Sequence, residues 1–307
     1  MTTAPADRAP FPGGARFAVS LTYDVEQCTN FPYWSSVWDH RKGALDDESW
    51  RYVARLADMA SAEGAPVQWF VLGSTLQEVD SEIWEILSGG GAIGNHTFRH
   101  VNVRARDFDD LQITYRTDPA LRRGFAKPLD AIRSEIETTS GWIERRTGRL
   151  PAGFRTPGGF SEGLRDHPEV REVLRTAGFH YVSSHYRYPC TASPRPSMGE
   201  LEQAMRWSLS HLQPYRYSDG LLEIPMMGIS DIWAFRVLDL EREEWIRLLE
   251  VDIDHAAAEG LLFSILMHPP VLACRDPHAA TLRRVLDKTI SLGGCILTND
   301  LAAEQYA

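Results

Sequence analysis

The sequence predicts an α/β fold in which parallel strands alternate with helices around a closed or nearly closed barrel. Short apolar runs, typical of buried parallel strands, alternate with segments whose apolar residues recur three and four positions apart, as in amphipathic helices. Several of these helical segments end in glycine, which suits a left-handed helix terminus that leads into the next strand. An open doubly wound sheet is the alternative arrangement.

Eight apolar runs are predicted strands, and five segments between them are predicted helices. The chain has 307 residues, within the range of one large barrel, which commonly takes ~250 residues. We therefore expect a single domain over residues 1–307. The strands are expected at 16–23, 66–72, 91–94, 151–155, 179–184, 220–226, 261–267 and 295–297. The helices are expected at 47–64, 130–148, 170–178, 241–260 and 279–294, with Gly64, Gly148, Gly178, Gly260 and Gly293 at their ends.

Two stretches interrupt this alternation and are predicted to be loop insertions. They lie near 101–127 and 185–216. Long insertions in a compact domain are often lids or binding loops, although some only cover a packing surface. Both interpretations stay open for these two.

The charge balance excludes several classes of partner. Lys and Arg number 32 and Asp and Glu number 42, so the formal net charge is −10, which repels phosphate backbones and anionic membrane surfaces. We expect neither nucleic acid nor a membrane as partner. The first residues carry no basic region followed by an apolar core, and the four cysteines form no Cys-x-x-Cys pair, so a cytoplasmic protein with reduced thiols is expected.

Candidate functional side chains follow four of the predicted strands. Asp24 and Glu26 follow the strand 16–23, and His96 and His100 follow the strand 91–94. If the second segment enters a helical turn, the i,i+4 spacing places both imidazoles on one face, close enough to bind one metal ion. Chance surface histidines and turn-forming carboxylates are the alternatives when each motif is taken alone.

Two further strands contribute Arg155 and His268. Arg155 precedes a Pro-Gly-Gly turn, where it could pair with a carboxylate of the site, and His268 precedes two prolines. A surface arginine and a core histidine are the ordinary alternatives. In a parallel barrel, however, the carboxyl ends of the strands form the active site, and all four motifs occupy that position.

Together the four motifs resemble, in order and approximate spacing, those of the polysaccharide deacetylase family (carbohydrate esterases). They read LTYDVE, NHTFRH, FRTPGG and LMHPP, and the resemblance runs from about Phe17 to Leu301. It implies a single-domain, distorted (β/α)7 TIM-like barrel. It also implies a divalent metal, usually zinc and sometimes cobalt, nickel or manganese, held by one carboxylate and two histidines.

One departure from the family motif bears on residue roles. The usual first motif has two adjacent aspartates, whereas here Val25 separates Asp24 from Glu26. The segment 10–26 looks more like a branch with intracellular peptidoglycan-deacetylase-like, cyclic-imide-hydrolysing and allantoinase-like members, which often form homo-oligomers. By similarity Asp24 is the general base and Glu26, His96 and His100 are the metal ligands, with an exchange between Asp24 and Glu26 open.

The predicted function is hydrolysis of a carbon–nitrogen amide bond. Water activated at the metal would attack the carbonyl while Asp24 takes its proton, His268 would protonate the leaving nitrogen, and Arg155 would orient Asp24 and keep it ionised. A small amide, ureide or cyclic imide is the favoured substrate, because no secretion signal is seen. An N-acetyl sugar deacetylase acting on oligosaccharide or peptidoglycan and a non-catalytic binding protein are the alternatives.

Aromatic residues near these motifs are candidate substrate contacts. Trp34 and Trp38, with Phe31 and Tyr33, could form one wall of a pocket. His185 and Tyr186 could face it from another strand end, and the segment EIPMMGISDIW adds Asp231 and Trp233 as further candidates by the same resemblance. Aromatic side chains that only pack the loops are the alternative.

Overall fold

A computed structural model describes residues 9–26, 45–111, 122–187 and 194–306 of the chain. Within these ranges nine strands form one sheet, and every strand pair except β6 with β7 is parallel. The strands are β1 Ala18–Val25, β2 Val67–Val71, β3 Gly91–Asn95, β4 Gly153–Phe160, β5 Tyr181–His185, β6 Tyr215–Arg216, β7 Leu222–Glu223, β8 Leu262–Met267 and β9 Cys295–Leu297.

The sheet closes on itself through the residues that follow β7. Its order is β6-β7-β5-β4-β3-β2-β1-β8, and β9 pairs with the first half of β1. Past β7, the amides of Ile224 and Met226 donate to β5, while the amide of Met227 donates to Ser264 in β8. The seven strands β1 to β5, β7 and β8 therefore form a ring, which confirms the predicted (β/α)7 barrel.

Helices surround this ring and connect successive strands. Polar N-caps begin several of them, since the side chains of Asp46, Asp80, Ser197 and Thr298 each accept a hydrogen bond from a backbone amide of the first turn. The helices are α1 Asp47–Ala62, α2 Gly73–Glu78, α3 Ser81–Ser88, α4 Pro128–Thr147, α5 Pro168–Thr176, α6 Met198–His211, α7 Arg242–Glu259, α8 Pro269–Arg275, α9 Ala280–Ser291 and α10 Asn299–Glu304. Among the described residues, no helix is long and apolar enough to cross a membrane.

All eight predicted strands and the five predicted helices are present, and the structure adds the short strand β6 and the helices α2, α3, α6, α8 and α10. The five glycines expected after helices have positive φ. The stretch near 185–216, predicted as a loop insertion, instead contains the helix α6 within its described part. A capping box between Ser197 and Glu200 starts this helix, and Leu201, Met205 and Leu209 bury its apolar face.

The strands alternate between two environments. In β1, Leu21, Tyr23 and Val25 pack in the outer core between the sheet and the helices. Thr22 and Asp24 point the opposite way and contact Arg155. Because side chains alternate along a strand, Glu26 continues the series of Thr22 and Asp24, and the polar residues of β1 face the inside of the barrel.

Asp252 is a buried acid outside this polar interior. It lies in α7, its side chain is fully buried, and neither carboxylate oxygen has a hydrogen-bond partner among the described residues. Burial raises the pKa of this carboxyl well above the usual range, and the positive charge of Arg206 offsets the effect only in part. The folded protein therefore keeps this proton at pH values where the unfolded chain releases it, which lowers stability as the pH rises above about 4.

We expect Asp252→Asn to stabilise the protein increasingly with pH. Near pH ~4 the two chains should have similar free energies of unfolding, and each pH unit above that should favour the variant by up to about 1.4 kcal/mol until the folded-state pKa is reached. Urea unfolding measured between pH ~4 and ~8 tests this. Asp254→Asn, on the exposed side of the same helix, is the control. If the free energy of unfolding of Asp252→Asn differed from that of the parent by the same amount at every pH, the conclusion that Asp252 is buried in its neutral form would be contradicted.

Candidate metal centre and active site

Four strand ends bring the predicted site residues to one mouth of the barrel. Asp24 is the penultimate residue of β1 and Glu26 lies just beyond that strand. His96 follows β3, Arg155 is the third residue of β4, and His268 follows β8. Parallel strands end at the same face of the barrel, so these side chains converge. Asp24, Glu26, His96 and His268 are each at most 5% exposed, and Arg155 is fully buried.

Glu26, His96 and His100 form the centre of the site. Their ligand atoms all lie within 4.8 Å of one another. The Nε2 atom of His96 is 2.9 Å from Glu26 Oε2, and the Nε2 atom of His100 is 2.6 Å from the same oxygen. Two imidazole nitrogens thus converge on one carboxylate oxygen.

The hydrogen bonding of His96 shows that this donor set fits a metal ion. Its Nδ1 atom lies 3.0 Å from the backbone carbonyl oxygen of Arg155, which can only accept, so Nδ1 carries the proton. In the neutral ring the lone pair is then on Nε2, where it faces Glu26. Two acceptors at 2.9 Å repel each other unless a proton or a metal ion lies between them, and one carboxylate with two imidazoles is a donor set that zinc and related divalent ions prefer.

The backbone of the histidine motif differs from the predicted helical turn. Residues 96–100 form a bend, in which Thr97 has φ of 65° and His100 has φ of 60°. These left-handed conformations are unfavourable for residues with a Cβ, above all for the branched threonine, and cost of order 1–3 kcal/mol each. The imidazoles therefore meet through a strained bend, although the expected pairing of His96 with His100 is present.

Arg155 holds Asp24 beside the centre. Its Nη1 atom donates to Asp24 Oδ1 at 3.0 Å and to Thr22 Oγ1 at 2.8 Å, while Nη2 donates to Ser183 Oγ at 3.2 Å. The guanidinium also lies 4.3 Å above the ring of Phe70. Thr22 and Ser183 were missed at the sequence level, where both read as ordinary strand residues.

His268 lies on the other side of Asp24, supported by Asp231. Its Nε2 atom is 3.9 Å from both Asp24 Oδ2 and Glu26 Oε1. Its Nδ1 atom is 2.8 Å from Asp231 Oδ1, and its backbone amide donates to Asp231 Oδ2 at 2.6 Å. Burial lowers the pKa of His268, but the Asp231 carboxylate, with smaller contributions from Asp24 and Glu26, outweighs it and raises the pKa overall. Such an imidazole can serve as a proton donor near neutral pH.

The predicted substrate contacts occupy several different positions. Asp231 is fully buried and hydrogen-bonded to His268, so its carboxylate contacts the predicted acid. Tyr186 is buried against Met226 and Leu266, and its hydroxyl accepts from the Ser230 amide.

The remaining candidates lie nearer the surface or outside the described residues. His185 contacts the hydroxyl of Tyr215 through Nδ1, and burial lowers the pKa of its imidazole. Trp233 is partly exposed at the start of the π-helical segment Trp233–Val237. Trp34 and Trp38, together with Phe31 and Tyr33, lie outside the described residues.

The arrangement places a carboxylate, an imidazole and a group of three potential metal ligands around one small space. Asp24 and His268 flank the centre formed by Glu26, His96 and His100. A reacting group between them would meet a carboxylate that can take a proton and an imidazole that can give one. This geometry suits attack of water on a carbonyl followed by protonation of a leaving group.

Comparison with known proteins gives one family match, which covers part of the site. Residues 44–182 match the family model described as Polysaccharide deacetylase, a range that contains His96, His100 and Arg155. Asp24, Glu26 and His268 lie outside the matched range. No curated protein matches the chain.

Solved structures with the same fold include an allantoinase and two deacetylases. A Puue allantoinase has a TM-score of 0.67 at 16% identity, covering 97% of this chain and 93% of that one. A putative polysaccharide deacetylase from Mycobacterium smegmatis has a TM-score of 0.64 at 19% identity, and the likeness covers 99% of this chain and 94% of that one. A probable polysaccharide deacetylase from Pseudomonas aeruginosa PAO1 has a TM-score of 0.67 at 17% identity, and the likeness covers 97% of this chain and 93% of that one.

These likenesses confirm the fold, and the family match confirms the predicted resemblance. Members of the matched family hydrolyse carbon–nitrogen amide bonds, which is the class of enzyme expected from the strand-end motifs. Residues 44–182 of the chain are thus similar in sequence to the polysaccharide deacetylases.

Proposed function

We propose that this protein is a metal-dependent hydrolase of carbon–nitrogen bonds in a small amide, ureide or cyclic imide. The observation that carries the proposal is the convergence of two imidazole nitrogens on Glu26 Oε2, with Asp24 and His268 on either side. The residues expected to hold the ion are Glu26, His96 and His100. A bound divalent ion supplies two things: it lowers the pKa of water toward ~7 and it polarises a carbonyl oxygen.

Asp24 is the proposed general base. Its Oδ1 atom accepts from Arg155, which leaves Oδ2 as the oxygen nearer to both His96 and His268, 3.9 Å from each Nε2. A proton released by the attacking water would therefore pass to Oδ2. Arg155 fixes the orientation of the carboxylate, since its guanidinium is itself held by Thr22 and Ser183.

His268 is the proposed general acid. Asp231 accepts from Nδ1 and so directs the second ring proton, on Nε2, toward Asp24 and the site centre. Amide nitrogen is a poor leaving group until it is protonated, and a positioned acid typically contributes ~10²–10⁴ in rate. This role needs the imidazole in its protonated form, which the raised pKa of His268 favours.

We expect His96→Ala to abolish both metal binding and hydrolysis. The substitution removes one of three ligand side chains and leaves Glu26 facing a single imidazole. Metal content of the purified variant and turnover of the preferred substrate measure the two effects. His278→Ala, an exposed histidine before α9, is the matched control; hydrolysis that survives in His96→Ala would rule out this site assignment.

A substrate panel separates the two hydrolase candidates. Allantoinase among the similar folds supports the inclusion of ureides, and the polysaccharide deacetylase match of residues 44–182 favours N-acetyl sugars as the second candidate. We expect ring-opened product from allantoin, hydantoin or succinimide, and little acetate from N-acetylglucosamine oligomers. Acetate as the main product would select the sugar deacetylase. A metal-loaded, folded protein that turns over neither class would indicate a binding protein.

We expect His268→Ala to lower kcat for an amide by about 10²–10⁴. The loss should shrink for an ester with a good leaving group, such as p-nitrophenyl acetate, because that group departs without protonation. Metal content should stay unchanged, since His268 is not among the three ligands. An equal loss on amide and ester would contradict the role of general acid.

A further inference from the structure

The proposed metal centre depends on a short bend whose two halves are held from outside the barrel. Two residues of the bend, Thr97 and His100, have positive φ. Such conformations persist where the surrounding contacts outweigh their cost. The contacts that hold residues 96–100 are therefore expected to determine how well His100 is placed against Glu26.

The first half of the bend is held by backbone groups and by Asn95. The amides of Gly73 and Ser74, at the start of α2, donate to the carbonyl oxygens of Thr97 and Phe98 at 2.9 and 3.0 Å. Asn95 Oδ1 accepts from the Thr97 amide at 2.8 Å, while its Nδ2 donates to the carbonyl of Ile136 in α4 at 2.8 Å. These contacts fix the chain up to Phe98.

The second half is held by Glu135 of α4, a side chain that is 2% exposed. Glu135 Oε2 accepts from the backbone amide of Arg99 at 2.6 Å, and Oε1 accepts from Arg99 Nη1 at 2.6 Å. The residue that follows Arg99 in the chain is the ligand His100. A buried, charge-assisted pair on the peptide adjoining a ligand restricts the direction in which that ligand leaves the backbone.

We propose that Glu135 is a positioning residue for the metal centre, acting on His100 through Arg99. This inference rests on the proposed function, because it assumes that residues 26, 96 and 100 bind a metal ion. Glu135 acts from the helix layer through two hydrogen bonds to Arg99. Its removal should loosen the placement of His100 while leaving the ligands themselves in the chain.

Glu135→Gln tests the proposal with little change in shape. A glutamine offers one acceptor where two donors must be met, and its amide group opposes a donor of Arg99. We expect the dissociation constant for Zn²⁺, measured on metal-free protein by competition with a chelator, to rise by about 10–100-fold. At saturating Zn²⁺ the kcat should recover most of its value, and the visible absorption of the Co²⁺-loaded variant should differ from that of the parent.

Glu137→Gln is the matched control, since Glu137 lies in the same helix with an exposed side chain. It should bind Zn²⁺ as the parent does. Arg99→Leu removes one of the two hydrogen bonds and keeps the backbone amide, so it should weaken Zn²⁺ binding less than Glu135→Gln. Arg99→Leu also serves as the test variant if Glu135→Gln does not fold.

The outcomes separate this inference from the proposed function. Parent-like Zn²⁺ affinity in folded Glu135→Gln, or in Arg99→Leu where the former does not fold, overturns the positioning role. Loss of thermal stability without a change in Zn²⁺ affinity overturns it as well, because that is the effect of a purely structural ion pair. Failure of the parent protein itself to bind Zn²⁺ would instead overturn the metal site on which the proposed function depends.

Discussion

The structure of the site depends on the shared oxygen of Glu26, which two imidazole nitrogens approach at 2.6 and 2.9 Å in a largely buried barrel mouth. Buried carboxylates are stable only when other groups compensate their charge. Arg155 compensates the charge of Asp24, and His268 compensates the charge of Asp231. A cation between Glu26, His96 and His100 would complete the same pattern.

Arg155 links the geometry of the proposed base to that of the proposed metal ligands. Its side chain orients Asp24, whereas its backbone carbonyl accepts from Nδ1 of His96 and selects the ring tautomer that frees Nε2. One residue of β4 therefore sets both the direction of the proposed base and the ligating form of one histidine. The parallel pairing of β4 with β5 shifts register just after Arg155, so the strand is regular up to this residue and irregular beyond it.

Sequence patterns predicted the barrel and the centre because both depend on local signals. Apolar runs and terminal glycines mark strands and helix ends, and residues at strand ends must meet once the strands are parallel. The contacts that hold the bend at residues 96–100 leave no such pattern in the sequence. Glu135 lies 35 positions after His100 in an ordinary amphipathic helix, and the positive φ of Thr97 opposes its intrinsic preference. Residues 96–100 form a bend instead of the helical turn that the i,i+4 spacing would allow, because tertiary contacts outweigh local spacing there.

The chemistry of the site is shared by the two candidate substrate classes, and their difference lies in the leaving nitrogen. In a linear N-acetyl group the leaving nitrogen becomes an amine that diffuses away, whereas in a cyclic imide or ureide it becomes a carboxamide or urea nitrogen that stays tethered beside the new carboxylate. An amine nitrogen cannot leave as its anion, whereas a carboxamide or urea nitrogen shares that negative charge with its own carbonyl group. An acid such as His268, held by Asp231 and 3.9 Å from the proposed base, therefore contributes most where the leaving group is an amine and less where it is an imide or ureide nitrogen.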